Sequence, residues 1–323
     1  MQLPPMGCSF LRNVEVSGSG YLFSNGRFIR EYNHCSDVAL ARLQDENYGD
    51  NPFVNLRQNR VTINEPVLLF TGPGHNTYGH WLLDFLPRLF IAQKMLGLVL
   101  NQFPILLPSG TPSWAAGMMQ EYCNIAPAQL LYYSETDDLV ICNRVCIPTC
   151  GHNGQYAMHP LVRETYARLG GSVAPEAKRK ICLSRRSFSL GRAFAARETF
   201  ERMAAERGFD IVCPEELNFT EQAALFRSAS CILGENGSGL HASVFADPGT
   251  IVASVGFNWV QCHVNAAFEQ PLINLNRVQM LEPVPGEPQR FTTSEDDLYS
   301  LFDMIERVQQ HGLQNAITGY GDS

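Results

Sequence analysis

A strand-like run that empties into a glycine-rich turn constrains this chain more than any other feature. Cys231-Ile232-Leu233-Gly234 reads as a buried strand, Glu235-Asn236-Gly237-Ser238 runs through a glycine-rich turn, and the turn opens a helix over Gly239 to Phe245 that begins Gly239-Leu240-His241-Ala242. Such a turn gathers bare backbone N–H groups and the positive end of a helix dipole at one point, which suits a phosphate. Upstream, from Lys178 to Arg207, stand nine Lys or Arg against three Glu, a surplus of six positive charges in a protein of net charge −8. A basic patch on an acidic protein points to a small anionic ligand and away from nucleic acid.

The repeat of short apolar runs and amphipathic stretches around that turn sets the fold class. Strands are expected at Lys180 to Leu183, Asp210 to Cys213, Cys231 to Gly234, Ile251 to Val255 and Leu272 to Leu275, with helices at Phe194 to Arg207 and Phe219 to Arg227 between them. This β-α-β rhythm is that of a parallel, doubly wound sheet. Asn218 and Glu221 form a capping box for the helix that starts at Phe219. The first half is α/β with a β-rich start. Tyr21 to Ile29 reads as a hairpin on an Asn-Gly turn, Val67 to Thr71 as a short buried strand, and Trp81 to Leu96 as an apolar helix. A strand at Ile105 to Leu107, a helix from Pro112 to Tyr122, strands at Leu139 to Cys142 and Val145 to Ile147, and a helix from Pro160 to Leu169 follow.

At 323 residues the chain is longer than one core usually organises, so two domains are expected. Gly170-Gly171-Ser172-Val173-Ala174-Pro175 is the best linker. It divides the chain into residues 1–172 and 173–290, followed by a helix over 291–311, free to pack back on the first domain, and a tail over 312–323. The longest apolar stretch, Leu89 to Leu100, is broken by Gln93 and Lys94 and falls short of the ~20 residues of a bilayer span. Met1 to Phe10 lacks the basic and apolar regions of an export signal. A cytoplasmic location is therefore expected, with peripheral association at the inner face of the plasma membrane left open.

The ten cysteines mostly sit in strand-like runs, where they act as small hydrophobes. Cys142, Cys146 and Cys150, with His152 beyond, invite a metal, but without the C-x₂-C pairs of zinc ribbons they read as one face of a strand pair. Neither an Asp-x-Asp nor a His-x-x-x-His pair occurs, so no metal and no resident cofactor are expected.

Chemistry concentrates in two places. In Gly79-His80-Trp81-Leu82-Leu83-Asp84-Phe85-Leu86-Pro87-Arg88, three polar residues at four-residue spacing, His80, Asp84 and Arg88, stripe an oily helix that Pro87 should kink. Asp84 beside His80 can act as general base toward a sugar hydroxyl, with His80 orienting or relaying the proton; alternatively Asp84 and Arg88 form an internal ion pair. In the second half, Arg185, Arg186 and Arg192 follow the strand ending at Leu183 and should emerge at the carboxyl edge of the sheet with the glycine turn. Their planar forks would grip phosphate oxygens. Gly237, Gly239 and Ala242 also satisfy the dinucleotide pattern G-x-G-x-x-A, which leaves an NAD(P) oxidoreductase as an alternative, although no carboxylate ends the next strand.

Four blocks in order, Gly79 to Arg88, Leu183-Ser184-Arg185-Arg186 with Arg192 and Glu198, Leu217 to Phe226, and Gly234 to Gly249, resemble glycosyltransferase family 61. This is the family of the DUF563 domain, often found in bacterial capsular polysaccharide biosynthesis proteins, and the resemblance spans roughly Pro66 to Val255. It implies a GT-B architecture of two Rossmann-like domains facing across a cleft. It also implies inverting, metal-independent transfer from a nucleotide sugar to a saccharide or lipid-linked saccharide in polysaccharide assembly. Asp84 and His80 would then be catalytic, and His75, Asn76, Tyr78, Trp81 and Arg88 would line the acceptor side in the first domain. Arg185, Arg186 and Arg192, with Glu235, Asn236, Gly237, Ser238, Gly239 and Leu240, would bind the donor in the second. Asn236 stands where the family turn usually has His, Arg197 where an Asn usually precedes Glu198, and no Glu follows Ile251-Val252. A non-catalytic sugar- or nucleotide-binding subunit of an assembly complex is the rival reading.

Overall fold

The computed structural model describes residues 6–25, 27–29, 59–72, 74–153, 157–169, 178–187, 192–284 and 286–318. The expected linker at Gly170 to Pro175 and the end of the expected tail lie outside the described residues. The chain divides into two compact units, 1–154 and 155–323.

The first unit is built on one mixed sheet. Strands β1 (Cys8–Ser17), β2 (Tyr21–Ser24) and β3 (Arg27–Phe28) form an antiparallel meander; β2 and β3 are the expected hairpin, with Asn25 in the left-handed region at φ 49°. To these are added β4 (Asn59–Ile63), β5 (Val67–Leu69), β6 (Ile105–Pro108), β7 (Leu130–Tyr133) and β8 (Asp138–Pro148). The order is β3-β2-β1-β8-β5-β6-β7, with β4 also beside β8. Strands β8, β5, β6 and β7 run parallel, so their carboxyl ends share one edge. Residues 138–148 form one strand, not the two expected: Asn143 and Arg144 are exposed, but the register with β1 holds on either side, Arg144 opposite Arg12 and Cys142 opposite Val14. The core gathers Val14, Val16, Leu69, Leu106, Val140, Cys142 and Val145. Helix α1 is continuous over Tyr78–His80, Trp81–Phe85 and Leu86–Leu96, and α2 spans Ser113–Cys123.

The second unit opens with α3 (Pro160–Leu169), whose Tyr166 packs edge-on against Phe245 at 5.1 Å. Then come β9 (Arg179–Leu183), β10 (Arg192–Phe194), α4 (Arg197–Glu206), β11 (Phe209–Val212), α5 (Phe219–Arg227), β12 (Ala229–Glu235), a 3₁₀ helix (Ser238–Phe245), β13 (Ile251–Val255), α6 (Trp259–Ala267) and β14 (Leu272–Leu275). Strands β15 (Gln279–Met280) and β16 (Gln289–Thr292) and helix α7 (Glu295–Thr318), kinked at Gly312 where φ is 74°, complete it. Five strands form an all-parallel sheet in the order β11-β9-β12-β13-β14, the doubly wound arrangement expected. The capping box is present: Asn218 Oδ1 accepts from Glu221 N at 2.8 Å and Glu221 Oε2 from Asn218 N at 2.9 Å.

Two expectations change here. The segment after the glycine turn is a 3₁₀ helix, with Leu240 N–H donating to Gly237 O and Ala246 N–H to Ser243 O. At about 2.0 Å rise per residue against 1.5 Å for an α-helix, eight residues reach about 4 Å further. Helix α7 buries Leu298, Leu301, Phe302, Ile305 and Val308 in the same core as Leu233, Ala253 and Val255, so its apolar face completes the second unit's own sheet.

Candidate functional site

In the first unit the polar side chains collect at the carboxyl ends of the parallel strands. Helix α1 leaves the end of β5 and carries His80 and Asp84; His152 follows the end of β8, the neighbouring strand. Pro87 offers no N–H to the turn before it, and there α1 takes π geometry, with Leu86 N–H reaching back five residues to Trp81 O. Asp84 lies inside this turn.

Both oxygens of Asp84 are engaged. His80 Nδ1 bonds to Oδ2, and His152 Nε2 bonds to Oδ1 at 2.6 Å. Burial opposes the charged carboxylate, but the hydrogen bonds from His152 and His80 overcome it and hold the Asp84 carboxyl well below its ordinary range. The hydrogen bond to Asp84 is also the main cause that raises His80 above the usual histidine value. The His80 side chain is 41% exposed and that of Asp84 16%, so the imidazole is the more accessible of the pair. Its ring lies against Gly74, where an added Cβ would stand 2.4 Å from His80 Cδ2, and Gly74 has φ +81°. Only glycine fits both conditions.

The residues placed around this dyad divide. Trp81 is fully buried; it stacks on Phe85 at 4.9 Å and donates from Nε1 to His75 O at 2.6 Å. It is a core residue and lines no cleft. Arg88 is likewise buried. Instead of pairing with Asp84 it donates to Thr71 O (2.9 Å) and Leu69 O (3.0 Å) and lies over the rings of Phe70 and Phe85, tying α1 to the end of β5. His75 is buried, with Nδ1 3.3 Å from Gly72 O and Nε2 3.4 Å from Glu135, whose carboxyl this contact lowers. Asn76 is exposed, and Tyr78 packs on Trp114, with burial raising its phenol. The cysteine series gathers no ligand set. Cys142 lies in the core, Cys146 is a free thiol hydrogen-bonded to the Cys8 thiol, and His152 is taken up by Asp84. Among the described residues no group of three or more His, Cys, Asp or Glu could hold a metal ion.

In the second unit the sheet order puts the topological switch point between β9 and β12: from β9 the chain winds one way to β11, and from β12 the other way to β13. Open parallel sheets bind ligands outside the carboxyl ends at such a point. There stand Ser184-Arg185-Arg186 after β9 and, from Glu235 at the end of β12, the turn Asn236 to Gly239. The two meet: a Cβ on Gly237 would lie 2.6 Å from Arg185 Nη1, so the guanidinium rests on the bare glycine backbone. The first N–H groups of the 3₁₀ helix have no partner within the helix.

Behind this cradle the packing is dense. Glu235 is buried and bonds to Arg197 through both oxygens, at 2.6 and 3.3 Å, which accounts for Arg197. Ser184 Oγ donates to Glu201 at 2.6 Å and accepts from Arg186 N at 3.2 Å. Asn236 Nδ2 donates to Phe257 O at 2.7 Å. Glu235 and Leu240 therefore support the turn from within, whereas Arg185, Gly237, Ser238 and Gly239 reach its surface. Arg192 does not belong to this edge: it begins β10, opposite Gln289 of β16, in a separate three-stranded sheet. At the end of β13, where a dinucleotide site takes a carboxylate, Ser254 bonds to Asn274 at 2.6 Å.

His152 is the residue whose role the sequence did not disclose. It was visible beside the cysteines, but nothing local joins it to Asp84, 68 positions earlier.

No helix among the described residues is long and apolar enough to cross a membrane. A family model described as glycosyltransferase 61 matches residues 78–253, more than half of the chain. No curated protein matches it.

Proposed function

The chain belongs to glycosyltransferase family 61, and from that premise we propose that it is an inverting, metal-independent transferase of the GT-B type. It would move a sugar from a nucleotide-sugar donor to a saccharide or lipid-linked saccharide acceptor in cytoplasmic polysaccharide assembly. The observation that carries the donor side is the Arg185 guanidinium seated on Gly237 at the switch point of a parallel sheet. A fixed cation and the N–H groups at the start of the 3₁₀ helix would meet the charge that develops on a departing diphosphate; Arg186, exposed beside them, adds a second cation.

On the acceptor side the roles of the dyad are exchanged relative to the sequence expectation. A carboxylate held by two histidines and stabilised in its charged form is a weak base, whereas a half-exposed imidazole raised by a carboxylate is a good one. His80 therefore accepts the acceptor hydroxyl proton, Asp84 orients the ring and stabilises the imidazolium, and His152 positions Asp84. The acceptor oxygen forms a bond to the anomeric carbon as the bond from that carbon to the diphosphate oxygen breaks. The proton goes to His80 and the negative charge to the leaving nucleotide.

The test is donor hydrolysis and transfer with UDP- and GDP-sugars and acceptor extracts, alongside calorimetric binding. His80→Ala should cut turnover by about 10²- to 10⁴-fold and leave nucleotide affinity unchanged. Nucleotide binding by the wild-type chain with no turnover on any acceptor would favour the binding-subunit reading, for which Asn236 in place of the family His is the specific support.

A further inference from the structure

One strand along from the cradle, two aromatic side chains stand open to solvent. Strand β13 ends at Val255, and the chain turns through Gly256, at φ +94°, into Phe257, Asn258 and Trp259. Phe257 is 56% exposed and Trp259 49%. A single exposed apolar side chain needs no explanation, but this pair is carried on a backbone fixed from several sides. Asn236 Nδ2 holds the Phe257 carbonyl. Asn258 Oδ1 caps α6 by accepting from Val260 N at 3.0 Å and Gln261 N at 3.4 Å. Gly256 packs so closely that a Cβ would lie 3.2 Å from Asn236 Cβ. One turn into α6, the His263 ring meets Trp259 edge-on at 5.7 Å. The backbone is held while about half of each residue's surface stays in solvent, which is the form of a preorganised platform.

Its position supplies the occupant. Strands β9, β12 and β13 are consecutive in the sheet, and neighbouring strands lie about 4.8 Å apart. Arg185, the glycine turn and the aromatic pair therefore follow one another along the same edge over about 10 Å. Asn236 belongs to the turn and holds the aromatic loop, so cradle and platform are joined by a hydrogen bond. Diphosphate and then base is the order of groups along a nucleoside diphosphate. We infer that Phe257 and Trp259 are the base-stacking subsite for the nucleotide of the donor, an inference that rests on reading the cradle as the diphosphate site. Every nucleobase has a π-face, so the platform favours a nucleotide over bare diphosphate without itself choosing among bases.

Calorimetry on the full chain with UDP, GDP and inorganic pyrophosphate tests this. Phe257→Ala and Trp259→Ala should each weaken UDP and GDP by about tenfold to a hundredfold and leave pyrophosphate unchanged, while Trp259→Phe restores most of the affinity. Arg185→Ala should weaken all three ligands. UDP should also quench part of the wild-type tryptophan emission and lose that effect in Trp259→Phe, since Trp81 is buried and Trp114 packs against Trp81 and Tyr78 in the first unit. Unaltered nucleotide affinity in both alanine variants, with thermal midpoints like the wild type, overturns the platform, as does pyrophosphate binding as tightly as UDP and GDP; the cradle survives either result. Unaltered binding in Arg185→Ala, or a wild-type chain that binds none of the three, overturns the cradle and the platform with it.

Discussion

Gly237→Ala isolates the contact on which the donor reading depends. The backbone at Gly237 is extended, φ 166°, a conformation any residue adopts, so the substitution brings no main-chain strain. The new Cβ would stand 2.6 Å from Arg185 Nη1 and 3.6 Å from Cζ. Heavy atoms rest at about 3.5 Å, so the guanidinium must withdraw by about 1 Å. A charge-assisted N–H···O bond of about 2.8 Å to a phosphate then stretches to about 3.8 Å and is lost. A hydrogen bond to a charged group contributes about 1.5–3 kcal/mol, or about tenfold to a hundredfold in Kd. Arg185 is only half-buried, so folding stability should move by no more than about 0.5 kcal/mol. Calorimetry with UDP and a thermal melt measure the two quantities side by side. Wild-type affinity in a folded Gly237→Ala chain would refute the reasoning, because it would mean that the ligand does not use the Arg185 fork where it rests.

The acceptor side gives predictions of opposite sign. In the proposed mechanism neutral His80 is the base, so kcat/KM should rise with pH through its raised pKa; Asp84→Asn removes the cause of that rise and should move the acid limb of the pH–rate profile to lower pH while lowering kcat. His152→Ala frees Asp84 from its second donor, strengthens its hold on His80 and should move the same limb to higher pH. Asp84, depressed in the folded chain, contributes stability above the unfolded carboxyl range near about 3.9 that is lost as pH falls. The gap in thermal midpoint between wild type and Asp84→Asn should therefore narrow with acidification. Gly74→Ala adds about 1–2 kcal/mol of left-handed strain and drives a Cβ into the imidazole; steady-state kinetics should show a loss of turnover approaching that of His80→Ala. Phe302→Ala opens a cavity beside Phe200 and Phe209 and should cost about 3–5 kcal/mol in chemical denaturation.

What the sequence disclosed and what it withheld follow the range of the interactions. Ile251–Val255, Leu272–Leu275 and Phe219–Arg227 have the bounds that periodicity gave them, because an apolar run, its turn residues and its cap are all local. Strands β10 and β16 leave no periodic signal: three and four residues long, they pair in parallel across nearly a hundred positions, and only the last residue of the first, Phe194, falls within an expected element, the helix that starts there. Helix α6 was missed as well, although Asn258 caps it. The His80–Asp84 pair was legible through its four-residue spacing. Arg88 shows the same spacing and misled, since its partners are the main-chain oxygens of Leu69 and Thr71, and a carbonyl leaves no mark on a sequence.

The same physical rule explains which candidate residues each unit gathers. In the first unit β5 and β8 are adjacent and parallel, so the helix that leaves β5 and the loop that leaves β8 start from one edge, and Asp84 receives His152 there although neither residue's surroundings name the other. In the second unit Arg185 and Gly237 meet because β9 and β12 are adjacent, parallel strands. Arg192, only seven positions beyond Arg185 and of the same chemistry, falls in β10 and is carried off to another sheet. A charged residue joins such a cluster through the strand end it follows, more than through its type or its distance along the chain. That places Phe257 and Trp259, which follow β13 on the same edge, nearer to the cradle in kind than the arginine that composition alone would have chosen.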